Sequence, residues 1–484
     1  MLAYDLLIAV SVLVFGVVVT LYLRSRNAAF ANPMTTYLAF HGLVFVFRPI
    51  MSRIFDYQAL YRGYEFQPTW DDRMTVLLAT NLGLVTFFAV SQYVTRNVSF
   101  SHPAAAPYRG RGGPGSDWTA WPRERFIKPF LIVAALLTPI ALYSTFTTWS
   151  QRTASVTSMV RDAATGVAVN TTGNGYIDSA QLLLVPLVVI FAWLFRFRWF
   201  TLIPLIAFVV IRGGTGGRGP IIVTAFAMAS IYLIERVRKW PEWRSSLLLI
   251  GAGVLFSFVL VDRGYAIRSI FVEQENALDR QRYATAPFET MDFGNLEFFE
   301  YLVYTIPGRT GTFDWFASNL IIFTEPIPRV LWPDKPVGSP VQFFSLFDYG
   351  TPIGMTMSVP GAGWLALGFI GVVIQCAMFA LLYGVIYRWT IRNRERGIPL
   401  LAGVLLIAAT VVTYRDGALV SILKLSLFYL LPLIMMAVLA RAFYGNGRRT
   451  SHSFATSDGP RRKTPSLETP AERRRRQARA VSLD

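Results

Sequence analysis

With one cysteine and three histidines among 484 residues, this chain is short of the side chains that build cross-links and metal cages. Cys376 has no second thiol to pair with, which excludes an intramolecular disulfide and any cysteine-based metal cluster. His41, His102 and His452 are too few and too far apart for a multi-histidine centre, so neither a metal nor another cofactor is expected. Charge is scarce too, at 15% of the residues where a soluble domain carries roughly 25%. What charge there is leans one way, with 46 Lys and Arg against 29 Asp and Glu and a net +17. A compact basic face would suggest nucleic acid, but these arginines are scattered between apolar runs, and no nucleic-acid partner is expected.

The chain is instead filled with apolar residues: 53% hydrophobic, 14% aromatic, with a mean hydropathy of +0.43. Stretches close to the roughly 20 residues that cross a bilayer recur along most of it. They read as spans over 4–23, 34–51, 74–94, 127–146, 177–195, 199–211, 219–234, 245–262, 362–387, 398–414 and 418–440. The fold class is therefore an all-α, polytopic membrane helix bundle of about 11 spans with a large, partly helical extracytoplasmic loop. The first stretch lacks the basic n-region and small-residue cleavage site of a signal peptide and reads as a retained helix.

Basic residues mark alternate boundaries. Arg24 and Arg26 follow span one, Arg123, Arg125 and Lys128 precede span four, and Arg196 and Arg198 follow span five. Arg236, Arg238 and Lys239 follow span seven, and Arg388, Arg392, Arg394 and Arg396 follow span nine. By the positive-inside rule the N-terminus is outside and the C-terminus in the cytoplasm. The expected organisation is N-terminal membrane helices over 1–262, an extracytoplasmic loop with interfacial helices over 263–361 and C-terminal membrane helices over 362–444. A disordered basic cytoplasmic tail over 445–484 completes it, suited to lie on anionic lipid.

Three features point to chemistry on the outer side. The turn Arg212-Gly-Gly-Thr-Gly-Gly-Arg218-Gly-Pro220 joins two short spans, the first covering about 20 Å against a hydrocarbon core of roughly 30 Å, so it is expected below the outer surface. Irregular backbone and two arginines at that depth need protein shelter and an anionic partner. Pro220 opens the next helix, whose N-terminus is a favourable phosphate site; a tight hairpin with snorkelling arginines is the plainer alternative. Second, Thr324-Glu-Pro-Ile-Pro-Arg-Val-Leu-Trp-Pro-Asp-Lys-Pro336 is stiff, and polyproline spacing places Arg329, Trp332 and Lys335 on one edge, cations beside an indole face that suit a phosphorylated sugar. Third, Arg415 lies in a short outer turn on the same side. Within the long loop, Leu296, Phe299, Val303 and Ile306 share one helical face and Glu297, Glu300 and Tyr304 another, the pattern of an interfacial helix or of one that packs on its neighbours.

At these residues the chain resembles the oligosaccharide repeat-unit polymerases of the O-antigen polymerase type. The resemblance rests on the Gly-x-x-Gly-Gly-Arg-Gly-Pro turn (213–220), on Ile327-Pro-Arg-x-Leu-Trp-Pro-Asp-Lys-Pro336, and on the glycine-punctuated run Gly361–Gly371, and covers roughly residues 180–440. It implies a metal-independent membrane glycosyltransferase that moves a polyprenyl-pyrophosphate-linked glycan onto an acceptor sugar hydroxyl in surface polysaccharide synthesis. It further implies a place in the bacterial inner membrane, with membrane lipids, a flippase and a chain-length regulator as partners. Arg212, Arg218, Arg329, Trp332, Lys335 and Arg415 would bind pyrophosphate and sugar. The acceptor needs a carboxylate base; Asp334 and Glu325 are the first candidates, with Glu297 and Glu300 not separable from them on sequence. The alternatives are an O-antigen ligase-type transferase, disfavoured because no histidine maps outside, and a lipid-linked oligosaccharide transporter, disfavoured because no internal repeat is visible.

Overall fold

The computed structural model describes residues 2–98, 121–154, 159–161, 168–170, 179–213, 219–243, 289, 294–324, 327, 332, 344, 346–349 and 356–444. The chain divides into two units, Met1–Phe443 and Tyr444–Asp484, and the architecture that follows is that of the first. It is helical: α1 (Leu2–Arg24), α2 (Pro33–Phe55), α3 (Ala59–Tyr64), α4 (Trp70–Thr95), α5 (Glu124–Ala154), α6 (Ala180–Leu194), α7 (Leu202–Gly213) and α8 (Gly219–Glu235). There follow α9 (Asn295–Thr305), α10 (Ala317–Thr324), α11 (Val359–Arg392), α12 (Gly397–Asp416) and α13 (Leu419–Tyr444). Among the described residues the only strands are β1 (Met159–Arg161) and β2 (Ala168–Asn170), an antiparallel pair.

Seven of these helices are long and apolar enough to cross a membrane (α1, α2, α4, the 124–147 part of α5, α11, α12 and α13), and α6, α7 and α8 are shorter apolar helices. The expected span at 245–262 lies outside the described residues, as does the tail from 445. Local chemistry sets the helix starts. Asn32 caps α2 by accepting from the Met34 amide, with Pro33 in the first turn. Thr69 and Asp72 form a reciprocal capping box on α4. Within α2 the stretch Gly42–Phe47 is π-helical. It ends just before Pro49, whose ring would otherwise meet the carbonyl one turn back.

The apolar side chains gather into two cores. One joins α1, α2, α4, α9 and α11; the other joins α5, α6, α8, α12 and α13. Outside them, Leu6, Leu13, Ile203, Ile206 and Val438 stand exposed on apolar helix faces, as a lipid environment allows.

One end of the bundle collects the basic boundaries. Arg123 bonds the Trp193 carbonyl and Glu235, Lys239 bonds the Arg26 carbonyl at 3.2 Å, and Trp193 packs against the start of α12 at Gly397. The ends of α1, α6 and α8 and the starts of α5 and α12 thus meet there, which is the alternation read from the arginines.

Two expectations need correction. The run at 362–387 is not one continuous helix: it begins at Val359 and breaks at Leu367 and Gly368, where Gly368 has φ +59°. A side-chain carbon on Gly363 would lie 2.5 Å from Val372 Cα. On a straight helix those nine residues would be about 13 Å apart, so Val359–Ala366 is a half-helix folded back on the rest of α11. The amides of Asp314 and Trp315 close its last carbonyls, donating to Leu365 O at 2.9 Å and Ala366 O at 3.0 Å. The second correction concerns α9, which is not an interfacial helix. Asn295 through Leu302 are all buried, glutamates included.

Candidate functional site

Burying a helix that carries two glutamates requires partners for both. Arg48, from α2, points Nε and Nη2 at Glu297 Oε1, at 2.8 and 2.6 Å, and both side chains are sealed from solvent. The Arg48 guanidinium also covers the Tyr57 ring at 4.7 Å. Tyr61 on α3 donates its hydroxyl to Glu300 Oε2 at 2.5 Å. Arg73, one turn into α4, lies over the rings of Tyr61 and Trp70 at 5.0 and 5.1 Å. Two arginines and two glutamates, one turn apart on α9, therefore share one buried pocket of charge. Glu297 Oε2 and Arg73 Nε are buried there with no hydrogen-bond partner among the described residues.

The two carboxylates differ in support. Glu297 has an arginine on one oxygen; Glu300 has a neutral phenol. Burial pushes the Glu300 carboxyl up to about 7, with Glu297 adding to the effect, while Arg73 and the Tyr61 hydrogen bond work against it. A carboxyl that exchanges its proton near neutrality is suited to acid–base work.

The base of α9 ties this pocket to Arg415. Asn295 Nδ2 donates to the Thr356 carbonyl (2.6 Å), the Thr356 hydroxyl (2.9 Å) and the Arg415 carbonyl (3.1 Å). Arg415 Nε donates to Thr356 Oγ1 at 3.2 Å, and the Ser358 amide donates to the Arg415 carbonyl at 2.7 Å. Ser358 caps the half-helix from φ 67°, ψ 163°, a region that glycine normally occupies. Gln375 donates to the Gly417 carbonyl at 2.8 Å and accepts from Asn319 at 2.8 Å, extending the polar layer towards α10.

Arg212 reaches the same end from α7. Its side chain is buried, donates to Gln181 at the start of α6, and lies within electrostatic range of the Tyr429 hydroxyl on α13. That hydroxyl is buried without a hydrogen-bond partner among the described residues. On the far side of the glycine turn, a side-chain carbon on Gly219 would lie 3.3 Å from Val412, one turn before Arg415. Gly219, at the start of α8, and the Arg415 end of α12 are thus brought together.

Arg218, Glu325, Arg329, Asp334 and Lys335 lie outside the described residues. Trp332 is described alone and is 36% exposed. His41 is a packing residue: it is buried in α2, and its ring stacks on Phe15 and approaches Tyr37 and Phe45. Among the described residues no group of three His, Cys, Asp or Glu is placed to hold a metal ion. Sequence reading passed over Arg48, Arg73, Tyr61 and Tyr429. Arg48 carried a signal, since an arginine inside the apolar stretch 34–51 requires a buried acidic partner. The chain matches no protein-family model, no curated protein and no solved structure.

Proposed function

We propose that this protein is an integral glycosyltransferase of the bacterial plasma (inner) membrane that polymerises polyprenyl-pyrophosphate-linked oligosaccharide repeat units for a surface polysaccharide. The observation that supports the reading is the approach of Gly219, which opens α8, to the Arg415 helix, beside the buried Glu297 and Glu300 that Asn295 ties to Arg415. In this reading the opposite, arginine-rich end faces the cytoplasm, with the N-terminus and the transfer site outside.

In the reaction, an acceptor sugar hydroxyl attacks the anomeric carbon of the donor glycan. The bond from that carbon to the lipid pyrophosphate breaks, and its electron pair leaves with the pyrophosphate. Negative charge grows on the leaving group, and preorganised cations are the groups that stabilise it. Arg212 and Arg415 fill this role here, with Arg218, Arg329 and Lys335 as further candidates and Trp332 as a stacking surface for sugar. The hydroxyl proton passes to a carboxylate. Asp334 and Glu325 remain candidates from the proline-rich segment, with Glu297 and Glu300 as the further carboxylates on α9. Flippase and chain-length regulator proteins are the partners such a reaction needs. The test is purified protein in lipid nanodiscs with one lipid-linked repeat unit: longer lipid-linked products and released polyprenyl pyrophosphate support the reading. Unchanged substrate, or substrate moved across a liposome without elongation, contradicts it.

A further inference from the structure

Between α10, the part of α11 after Gly368 and the start of α13 runs a groove of about 690 Å³, within the size range of small-molecule sites. Phe316, Leu320, Phe323, Ile374, Met378 and Leu423 line it, and its surface is almost wholly apolar. It is open to the outside of the bundle: Leu320 is 61% and Phe323 75% exposed. None of the eight residues of α10 is buried, so this helix forms one wall without being part of either core.

The polar boundary of the groove gives it direction. Asn319, also in the lining, is bonded to Gln375, and Gln375 to the Gly417 carbonyl, two residues beyond Arg415. Next to the lining residue Leu423, Lys424 is exposed and is the only charged residue between Leu419 and Ala440. It lies, with Arg415, within electrostatic range of Asp416, which Ser421 also holds at 2.8 Å. The chain flanking the lining residues Leu419 and Leu423 thus carries two cations and one carboxylate within electrostatic range of one another, a surplus of positive charge beside an apolar channel. That is the complement of a long hydrocarbon chain carrying an anionic phosphate head.

We infer that this groove holds the isoprenoid tail of the lipid-linked substrate and delivers its pyrophosphate towards Arg415, with Lys424 as a guiding charge. The inference rests on the proposed function for the identity of the lipid; the groove, its polar end and Lys424 stand independently of it.

The test uses the full-length protein in nanodiscs and a polyprenyl pyrophosphate with a diazirine in its tail. After irradiation, adducts are mapped by peptide mass spectrometry. Labelling of 316–323, 374–378 and 419–424, suppressed by unlabelled polyprenyl pyrophosphate but not by excess phospholipid, is the expected result. Lys424→Gln should lower labelling by the pyrophosphate about tenfold and leave labelling by the matching neutral polyprenol unchanged, as loss of one headgroup contact of about 1.4 kcal/mol implies. Met378→Trp with Leu423→Trp should fill the groove and abolish adducts, with folding checked by size-exclusion profile. Labelling elsewhere overturns the inference, as does equal competition by phospholipid, which would make this ordinary boundary lipid. So do adducts unaffected by the double tryptophan variant. Because labelling needs no turnover, adducts without chain growth would remove the polymerase reading and leave the groove standing. Chain growth with labelling elsewhere would do the reverse.

Discussion

Arg48–Glu297 and Arg238–Glu242 are ion pairs of the same two residue types at opposite ends of the bundle. In the first the side chains are 2% and 0% exposed and joined across 249 positions of sequence; in the second they are 46% and 61% exposed and four residues apart. Water around the exposed pair screens it and solvates either partner alone. The buried pair has no such reserve, so its strength lies less in what the contact adds than in what removing one half would leave behind.

That contrast is open to direct attack. Arg48→Ala strands Glu297 in the interior and should lower unfolding free energy by about 3–5 kcal/mol, read as a large fall in thermal midpoint in detergent. Replacing both Arg48 and Glu297 with leucine should recover much of the loss, because the stranded charge is gone.

Glu300→Gln should act next most strongly, and only in part of the pH range. A carboxyl whose folded-state value is raised from 4.5 to about 7 binds more protons folded than unfolded between those limits. Stability therefore falls as pH rises through that window, by on the order of 3 kcal/mol for a shift of this size. The groups facing Glu300 are Tyr4, Arg48, Tyr61, Arg73 and Glu297. The arginines stay charged throughout this window and the phenols neutral. Thermal midpoints from pH 5 to 8 should decline for the native protein more than for Glu300→Gln, and parallel curves would count against the buried-charge account.

Gly363→Ala should cost about 1–3 kcal/mol, the usual cost of overpacking, since the new carbon meets the backbone of Gly371 and Val372. At the other end, Arg238→Ala should change stability by less than about 0.5 kcal/mol. An effect as large as that of Arg48→Ala would erase the distinction between the ends.

How much of this was legible beforehand follows the range of the interactions. Hydropathy is local, so the apolar helices could be read, and the arginines at alternate boundaries do gather at one end. Gly361, Gly363, Gly368 and Gly371 were visible as a pattern, but not their purpose. A hydropathy run carries no record of a backbone reversal at Leu367–Gly368. The two faces of α9 were also visible, yet whether Glu297 and Glu300 face water or protein depends on Arg48 and Tyr61, more than two hundred residues away. Arg48 itself was absorbed into a predicted span. Arg212 was singled out as a candidate anion ligand, but its contacts with Gln181 and Tyr429 were not legible; Arg218, Arg329 and Lys335 lie beyond the described residues.

The central claim, that the end with buried charge is where glycan is transferred, is tested most directly by product length. Native protein, Arg212→Gln and Arg238→Gln would each be reconstituted at matched amounts with one lipid-linked repeat unit, and the lipid-linked products resolved by size over time. The account predicts elongation by the native protein and by Arg238→Gln at similar rates, and a loss of roughly 10² to 10³ in rate for Arg212→Gln, as expected when an oriented donor to a developing anion is removed. Equal elongation by Arg212→Gln and the native protein would contradict it.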